Sequence, residues 1–201
     1  TFDVAHPMGI DGADLDRDGH IDYYVSNVAT NPLLRNNGDG TFSDASAAAG
    51  TLGDFGWGLG FEDFNHDGWW DIFVAQEDNL PYLTFYNQRS APLAFTRQDW
   101  PHNNVASNGH NVAVAFADYD HDGKVDIVTA STSGDRVNLY HNDTDTGTHS
   151  WIEVKVPEEP TTGAVGGIGA RVVVKTGDIV QFKDITGGSS RASQNAASAR
   201  F

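Results

Sequence analysis

A nine-residue pattern that occurs three times limits the fold of this 201-residue chain more than any other feature. Each copy has glycine at position 6 and side chains that carry oxygen at positions 1, 3, 5 and 9. These side chains are Asp14, Asp16, Asp18 and Asp22 in the first copy, Asp63, Asn65, Asp67 and Asp71 in the second, and Asp118, Asp120, Asp122 and Asp126 in the third. The copies recur with a period of about 50 residues, which indicates a repeat architecture.

The spacing favours a compact nest of oxygen atoms. Alternate residues of a tight loop turn their side chains towards one centre, and glycine at position 6 permits a sharp turn. That turn directs the carbonyl oxygen of position 7 inwards, which adds the backbone of His20, Trp69 and Lys124. Ca²⁺ accepts six to eight oxygens, whereas Mg²⁺ keeps more of its waters. Zn²⁺ favours His or Cys, and the histidines within the loops stand at outward-pointing positions. We therefore predict three Ca²⁺ sites.

Two other interpretations of the pattern fit less well. Asp and Gly are common turn residues, and a single copy would mean little more than a turn. An EF-hand loop needs a bidentate Glu at position 12 between two helices, but position 12 is Val25, Val74 or Thr129. The flanking segments, such as 112–116 and 127–130, are short and rich in β-branched residues, which indicates strands. The pattern therefore predicts a calcium loop between two strands.

The segments around each loop predict an all-β protein. Each unit has a strand, the loop, a second strand, a turn and one or two more strands, which is the size of a propeller blade. We expect three such repeats in residues 1–157, at about 5–54, 55–107 and 108–157 by the recurring loops. We expect residues 158–201 to form a further small β segment, with a strand at 171–175, and Ala45–Ala49 to form one helical turn. The predicted architecture is a set of blade-like antiparallel sheets in a partial or open β-propeller.

An open array of blades leaves sheet edges uncovered. Propellers close with about four to eight blades, and exposed edges invite pairing with another strand. Phe2–Val4 resembles Phe42–Asp44 and is predicted to be a strand without a blade of its own. It would complete either the last repeat of the same chain or a sheet of a neighbouring copy. We interpret the chain, which begins at Thr1, as a processed protein or a fragment. We expect copies to associate through sheet edges, including the strand at 171–175, into a ring or a filament.

Charge and composition exclude several classes of protein. The formal net charge is −16, with 12 basic and 28 acidic residues, and no basic stripe marks a nucleic-acid surface. No apolar run approaches the roughly 20 residues of a membrane span. The chain has no Cys, and therefore no disulfide or thiol chemistry. Calcium sites of modest affinity fill outside cells rather than in resting cytosol. We therefore expect an extracellular or cell-surface protein, or a periplasmic one.

The three loops and the turn at 36–42 resemble FG-GAP/VCBS repeats, the calcium-bearing blades of integrin-type β-propellers. Residues 151–201 are similar to the ASPIC/UnbV module that often follows such repeats. That likeness rests on Ile168–Val172, Gly187–Gly188, Ser193–Gln194 and Arg200–Phe201. The resemblance implies a calcium-stabilised binding or adhesion scaffold outside the cytosol, without one defined reaction.

Two other functions stay open at the level of sequence. A glycan-binding propeller lectin would use aromatic faces, for which the candidates are Trp57, Trp69, Trp70 and Trp100. A lyase-like enzyme would need proton-transfer groups, for which the candidates are His6, His102, His110 and His141. The chain lacks the Gly-x-Ser-x-Gly and His-Glu-x-x-His motifs of hydrolases. We therefore predict a structural or interaction module with no catalytic residues, ahead of the lectin and the enzyme.

Overall fold

The protein forms three small antiparallel sheets that correspond to the three repeats. The computed structural model describes residues 6–77, 80–100, 111–131, 137–157, 167–191 and 193–201. Blade 1 consists of β1 (Pro7–Ala13), β2 (Asp22–Asn27), β3 (Leu33–Asn36) and β4 (Phe42–Asp44). Blade 2 consists of β5 (Gly56–Glu62), β6 (Asp71–Gln76), β7 (Tyr82–Asn87) and β8 (Phe95–Trp100). Blade 3 consists, in the described residues, of β9 (Asn111–Ala117), β10 (Asp126–Ser131) and β11 (Val137–Tyr140).

Each blade is a meander in which consecutive strands are neighbours. The first and second strands pair in the same way in all three blades, with Ala13 opposite Asp22, Glu62 opposite Asp71 and Ala117 opposite Asp126. Each nine-residue loop therefore connects the first strand of a blade to the second, as the sequence predicts. The all-β prediction is confirmed, and the one helix in the described residues is the short α1 (Ser46–Ala49).

Four further strands form two small sheets in the C-terminal part of the chain. β13 (Arg171–Thr176) pairs with β14 (Ile179–Asp184), and β12 (Glu153–Val154) pairs with β15 (Ala199–Arg200). Residues 151–156 lie at the end of the third expected repeat, 108–157. The strand β12 nevertheless pairs with the C-terminal strand β15 and not with β11. The strand predicted at Phe2–Val4 lies outside the described residues.

Blade 2 is packed on both faces. Every residue of β6 is buried, and side chains of a strand alternate between the two faces of its sheet. Ile72 and Val74 accordingly belong to the apolar cluster shared with blade 1, while Phe73 and Ala75 belong to the cluster shared with blade 3. The continuous apolar sequence of β6 is thus explained by its place in the middle of a stack.

Glycine allows blades 2 and 3 to approach closely. A Cβ atom at Gly60 would lie 2.4 Å from Cε2 of Phe116, which is itself almost fully buried. The aromatic ring of β9 therefore occupies the space that a side chain on β5 would fill. Phe116 also contacts Phe64 and Phe73, with ring centroids 5.7 and 5.9 Å away.

The C-terminal segment covers part of the edge that the first strands would otherwise expose. β5 and β9 are edge strands of their sheets. Leu59 N donates to Ser190 Oγ at 2.6 Å, and Phe116 N donates to Asn195 Oδ1 at 3.1 Å. Ala196 N donates to Phe116 O at 3.3 Å. Ser190, Asn195 and Ala196 therefore supply partners to backbone groups that lack a neighbouring strand.

We predict that Gly60→Ala destabilises the protein, because the new methyl group collides with Phe116. Overpacking of a tight core typically costs about 1–3 kcal/mol. Urea unfolding followed by tryptophan fluorescence measures this change. The control is Gly187→Ala, where a new Cβ meets only the exposed side chain of Ile168, at 3.3 Å. Equal stability of Gly60→Ala and the wild type would contradict the packing described for blades 2 and 3.

Candidate metal centres

The three loops share one backbone conformation. Glycine at position 6 has a positive φ in each loop, 90° at Gly19, 85° at Gly68 and 96° at Gly123. Position 4 also has a positive φ in each loop, at Arg17, His66 and His121, with values of 59°, 56° and 65°. Such values are uncommon for residues other than glycine. The role of glycine was expected from the sequence, but the left-handed residue at position 4 was not.

Side chains of positions 1 and 5 build the turn by accepting backbone N–H groups. The position-1 carboxylate accepts the N–H of Gly19, Gly68 or Gly123, at 3.1, 2.7 and 3.0 Å respectively. The position-5 carboxylate accepts the N–H of position 7, at 2.9 Å in the first loop, 3.0 Å in the second and 2.8 Å in the third. Asp14, Asp63 and Asp118 therefore lie at the centre of their loops, with Asp18, Asp67 and Asp122 beside them.

The aspartates at position 9, here called the hub aspartates, bind two separate parts of their blade. They are Asp22, Asp71 and Asp126, and all three are buried. One oxygen accepts the N–H of position 2, at 3.1 Å from Leu15, 3.2 Å from Phe64 and 3.1 Å from Tyr119. The other oxygen accepts the N–H of an asparagine 14 or 16 residues later, at 2.8 Å from Asn36, 2.9 Å from Asn87 and 2.8 Å from Asn142. Each hub aspartate thus joins its loop to the end of the third strand.

These asparagines also link neighbouring blades. Asn87 Nδ2 donates to the carbonyl of Leu15 in loop 1 at 2.9 Å. Asn142 Nδ2 donates to the carbonyl of Phe64 in loop 2 at 3.0 Å. These asparagines were not predicted from the sequence, although each follows its hub aspartate by a near-constant 14 or 16 residues. The loops are therefore part of the contact between blades as well as candidate ion sites.

Carboxylate groups lie close together in loops 1 and 3. One oxygen each of Asp14, Asp16 and Asp18 lies within 4.8 Å of the others, and the same holds for Asp118, Asp120 and Asp126. Asp16 Oδ1 and Asp118 Oδ1 are buried without a hydrogen-bond partner. Unpaired buried oxygens on adjacent carboxylates are costly unless a cation or a proton neutralises them. This donor set consists of oxygen atoms and fits a hard divalent cation.

Burial raises the pKa of three loop carboxyl groups, those of Asp22, Asp63 and Asp71. It raises the pKa of Asp22 to about 7 and the pKa of Asp63 to about 7. The pKa of the fully buried Asp71 is raised well above its ordinary value, also chiefly by desolvation. Position 3 of the second loop is Asn65, whereas the other two loops have aspartate there, so the second loop has one formal negative charge fewer. The amide of Asn65 donates to Asp67 Oδ2 at 3.1 Å.

Arginine side chains neutralise part of the charge. Arg35 Nε donates to Asp16 Oδ2 at 2.6 Å, and its NH2 group lies 3.1 Å from Asp18 Oδ2. Arg200 NH1 donates to Asp118 Oδ2 at 2.9 Å and to Gly123 O at 3.3 Å. The third loop is therefore tied directly to the C-terminal end of the described chain. The predicted ligand role of each loop residue, including the carbonyls of His20, Trp69 and Lys124, stays a prediction.

The aromatic candidates for a glycan surface are engaged in packing. Trp70 is buried and contacts Phe201, with ring centroids 6.4 Å apart. Trp69 lies 3.9 Å beneath the guanidinium of Arg17. The other two have similar roles, Trp57 stacking on Phe55 and Trp100 packing edge-on against Phe73 and Tyr140. Glycan binding stays a prediction.

Of the histidines considered for catalysis, His102 and His110 lie outside the described residues. His6 and His141 are exposed. The ion pairs of His141 are made with carboxylates of loop 3 and with Asp143, at a rim rather than in a buried cleft. The enzyme alternative therefore gains no support from the arrangement of His6 and His141.

Comparison with known proteins agrees with the three-loop geometry. The sequence matches the FG-GAP-like repeat family over residues 14–74 and again over residues 63–129, so that each match spans two loops. The chain therefore belongs to the FG-GAP-like repeat family, whose members are typically adhesion or interaction modules and are commonly extracellular. A search of curated proteins found no match.

The similarity of the C-terminal segment to the ASPIC/UnbV module lies beyond the matched residues and stays a prediction. In the described ranges, no helix combines the length and apolar character that a membrane crossing requires.

We predict that Asp71→Asn destabilises blade 2 even without metal. The carboxyl group has two oxygens that can accept an N–H in either protonation state, whereas the amide has one. One of two N–H groups, on Phe64 or Asn87, therefore loses its acceptor. Leaving a buried donor unsatisfied costs about 1–3 kcal/mol. Urea unfolding in excess EDTA measures this change independently of ion binding. Asp178→Asn, at an exposed turn, is the matched control. If both variants unfold at the same urea concentration, the hub role of Asp71 is wrong.

Proposed function

We propose that the protein is an extracellular, calcium-stabilised interaction module that associates with further copies of itself through sheet edges. The observation that carries this proposal is the threefold recurrence of one loop conformation, with carboxylates converging in loops 1 and 3. Membership of the FG-GAP-like repeat family supports it, because such repeats are typical of interaction modules. No chemical reaction is needed to account for the arrangement.

In each loop, the oxygens of positions 1, 3 and 5 and the carbonyl of position 7 would hold the ion. Positions 1 and 5 also accept backbone N–H groups, but a carboxylate oxygen has more than one acceptor site, so they remain able to bind a cation. The same holds for the hub aspartates Asp22, Asp71 and Asp126. Ca²⁺ would supply the positive charge that the unpartnered oxygens of Asp16 and Asp118 lack.

Ion binding in one loop would affect the contact between blades. The carbonyl groups of Leu15 and Phe64 follow directly after the first aspartate of loops 1 and 2, and both accept from the next blade. A loop held rigid by its ion therefore presents a fixed acceptor to the asparagine of its neighbour. We infer that calcium stabilises the stack of blades as well as each hairpin.

Self-association is supported by apolar residues at the edges of the described sheets. β11 is an edge strand, on which Val137 and Leu139 are 71% and 50% exposed. Val173, Ile179 and Val180 of the β13–β14 hairpin are also about half exposed or more. Exposed strand edges that carry apolar side chains are templates for pairing with another chain.

Charge and cation supply support the proposed extracellular location. The net charge of −16 keeps the protein soluble and attracts cations. Calcium outside cells fills binding sites of modest affinity, and such sites would give the module its folded stability only there.

We predict that calcium raises the melting temperature and that EDTA lowers it. A ligand that binds only the folded state adds about 2.7 kcal/mol per site at a hundredfold excess over its dissociation constant. Differential scanning calorimetry with and without calcium measures this gain. Asp16→Ala should remove the share of one site, whereas Asp178→Asn should retain the full gain. Identical melting curves of the wild type in calcium and in EDTA would refute the proposal.

We predict that Val173→Lys reduces self-association, because lysine on an edge strand disfavours pairing with a second strand. Multi-angle light scattering in calcium compares this variant with the 21.7 kDa monomer mass. Gln88→Lys adds the same charge at an exposed position after β7 and should leave the size unchanged. A wild-type protein that is monomeric at every concentration would contradict the assembly proposal.

A further inference from the structure

The third loop differs from the other two because an imidazole from outside the loop reaches its carboxylates. His141 Nε2 lies 3.0 Å from Asp120 Oδ2 and 3.7 Å from Asp122 Oδ2. A ligand atom from each of these three residues lies within 4.8 Å of the other two. This cluster therefore combines nitrogen and oxygen donors, which distinguishes it from the all-oxygen nest expected for calcium.

The place of His141 in the repeat explains why the side chain arrives there. It immediately precedes Asn142, whose N–H binds the hub aspartate Asp126. The residue in the corresponding place of blade 1 is Arg35, which contacts positions 3 and 5 of its own loop at Asp16 and Asp18. Blade 1 thus has the permanent positive charge of Arg35 at this place, whereas blade 3 has the imidazole of His141, a type of side chain that can bind metals.

The surroundings of His141 hold the ring in one orientation. Its Nδ1 atom lies 2.8 Å from Asp143 Oδ1, and the ring of Tyr119 packs edge-on with centroids 6.1 Å apart. A histidine that binds metal typically donates its other ring N–H to a carboxylate. With Asp143 accepting from Nδ1, the lone pair of Nε2 faces the two loop carboxylates.

A separate observation also indicates that the third loop takes a cation. The side chain of Asp118 is almost completely buried, and its Oδ1 atom has no hydrogen-bond partner. An oxygen of Asp118 lies within 4.8 Å of oxygens of Asp120 and Asp126. Arg200 neutralises only the other oxygen, Oδ2. Lys124 Nζ lies 3.4 Å from Asp122 Oδ2, whereas Asp120 Oδ2 is contacted by His141.

We propose that Asp120, Asp122 and His141 form a site for a transition-metal dication of the Zn²⁺ type, with Asp143 as the residue that orients the imidazole. Imidazole nitrogen suits Zn²⁺ and its neighbours in the transition series, whereas Ca²⁺ takes oxygen ligands. Asp120 and Asp122 are also the proposed calcium ligands of loop 3. Zn²⁺ and Ca²⁺ therefore compete for this loop, and loops 1 and 2 prefer calcium.

The competing explanation is that His141 only forms surface ion pairs as an imidazolium. Such exposed pairs contribute about 0–1 kcal/mol and require no metal. The two explanations differ in what happens to Nε2, which carries a proton in the ion pair and a metal in the proposed site. The proposal does not depend on calcium binding, because the donor set includes a nitrogen.

Isothermal titration of the chelator-stripped full chain with zinc chloride tests the site. His141→Gln should weaken zinc binding at one site by at least about tenfold, and Asp143→Asn by about tenfold, as outer partners of metal-binding histidines typically do. His121→Gln is the matched control, since it makes the same substitution at an exposed position of the same loop. It should leave zinc affinity unchanged.

A second measurement on the wild type guards against a folding defect in the variants. Long-range ¹H–¹⁵N spectra report the ring nitrogens of each histidine, and the signal missing in His141→Gln identifies His141. Zinc should shift the Nε2 resonance of His141 in the absence of calcium. An unmoved resonance, or wild-type zinc affinity in His141→Gln, would overturn the proposal. Neither result depends on whether calcium raises the melting temperature, so the two proposals fail separately.

Discussion

The structure depends on one carboxylate in each blade that accepts two backbone N–H groups. Asp22, Asp71 and Asp126 are nearly inaccessible to solvent, and each receives one N–H from its own loop and one from the end of the third strand. Hydrogen bonds to a buried acceptor are expensive to leave unmade. A movement of the loop would break the hydrogen bond between its hub aspartate and the end of the third strand. The candidate ion site is therefore also part of the structure that holds the blade together.

Stacking of the blades follows from the alternation of side chains in the middle sheet. The even and odd residues of β6 serve two different apolar clusters, so a change on one face reaches only one neighbour. Close approach is possible where glycine replaces a side chain, as at Gly60 against Phe116. The backbone of this interface is therefore as important as its side chains.

The features that could be predicted from the sequence are those encoded locally. The nine-residue spacing placed each loop between two strands because every residue needed for the inference lies within the loop and its flanks. The asparagines escaped notice because a single Asn 14 or 16 residues from its partner produces no pattern within one element. The contacts of Ser190, Asn195 and Ala196 with β5 and β9 were also not predicted. Small polar residues such as Ser190 and Asn195 carry no periodic signal, and their partners lie 131 and 79 residues away.

The contacts of Asn87 and Asn142 give the row of blades a direction. In both cases the side chain of the later blade donates, and a carbonyl group of the earlier blade accepts. Such a row has two unlike ends: Asn36 stands at the donor end, and the carbonyl of Tyr119 stands at the acceptor end. Growth by the same contact would be head-to-tail, and a pair of copies related by a two-fold axis would not use it.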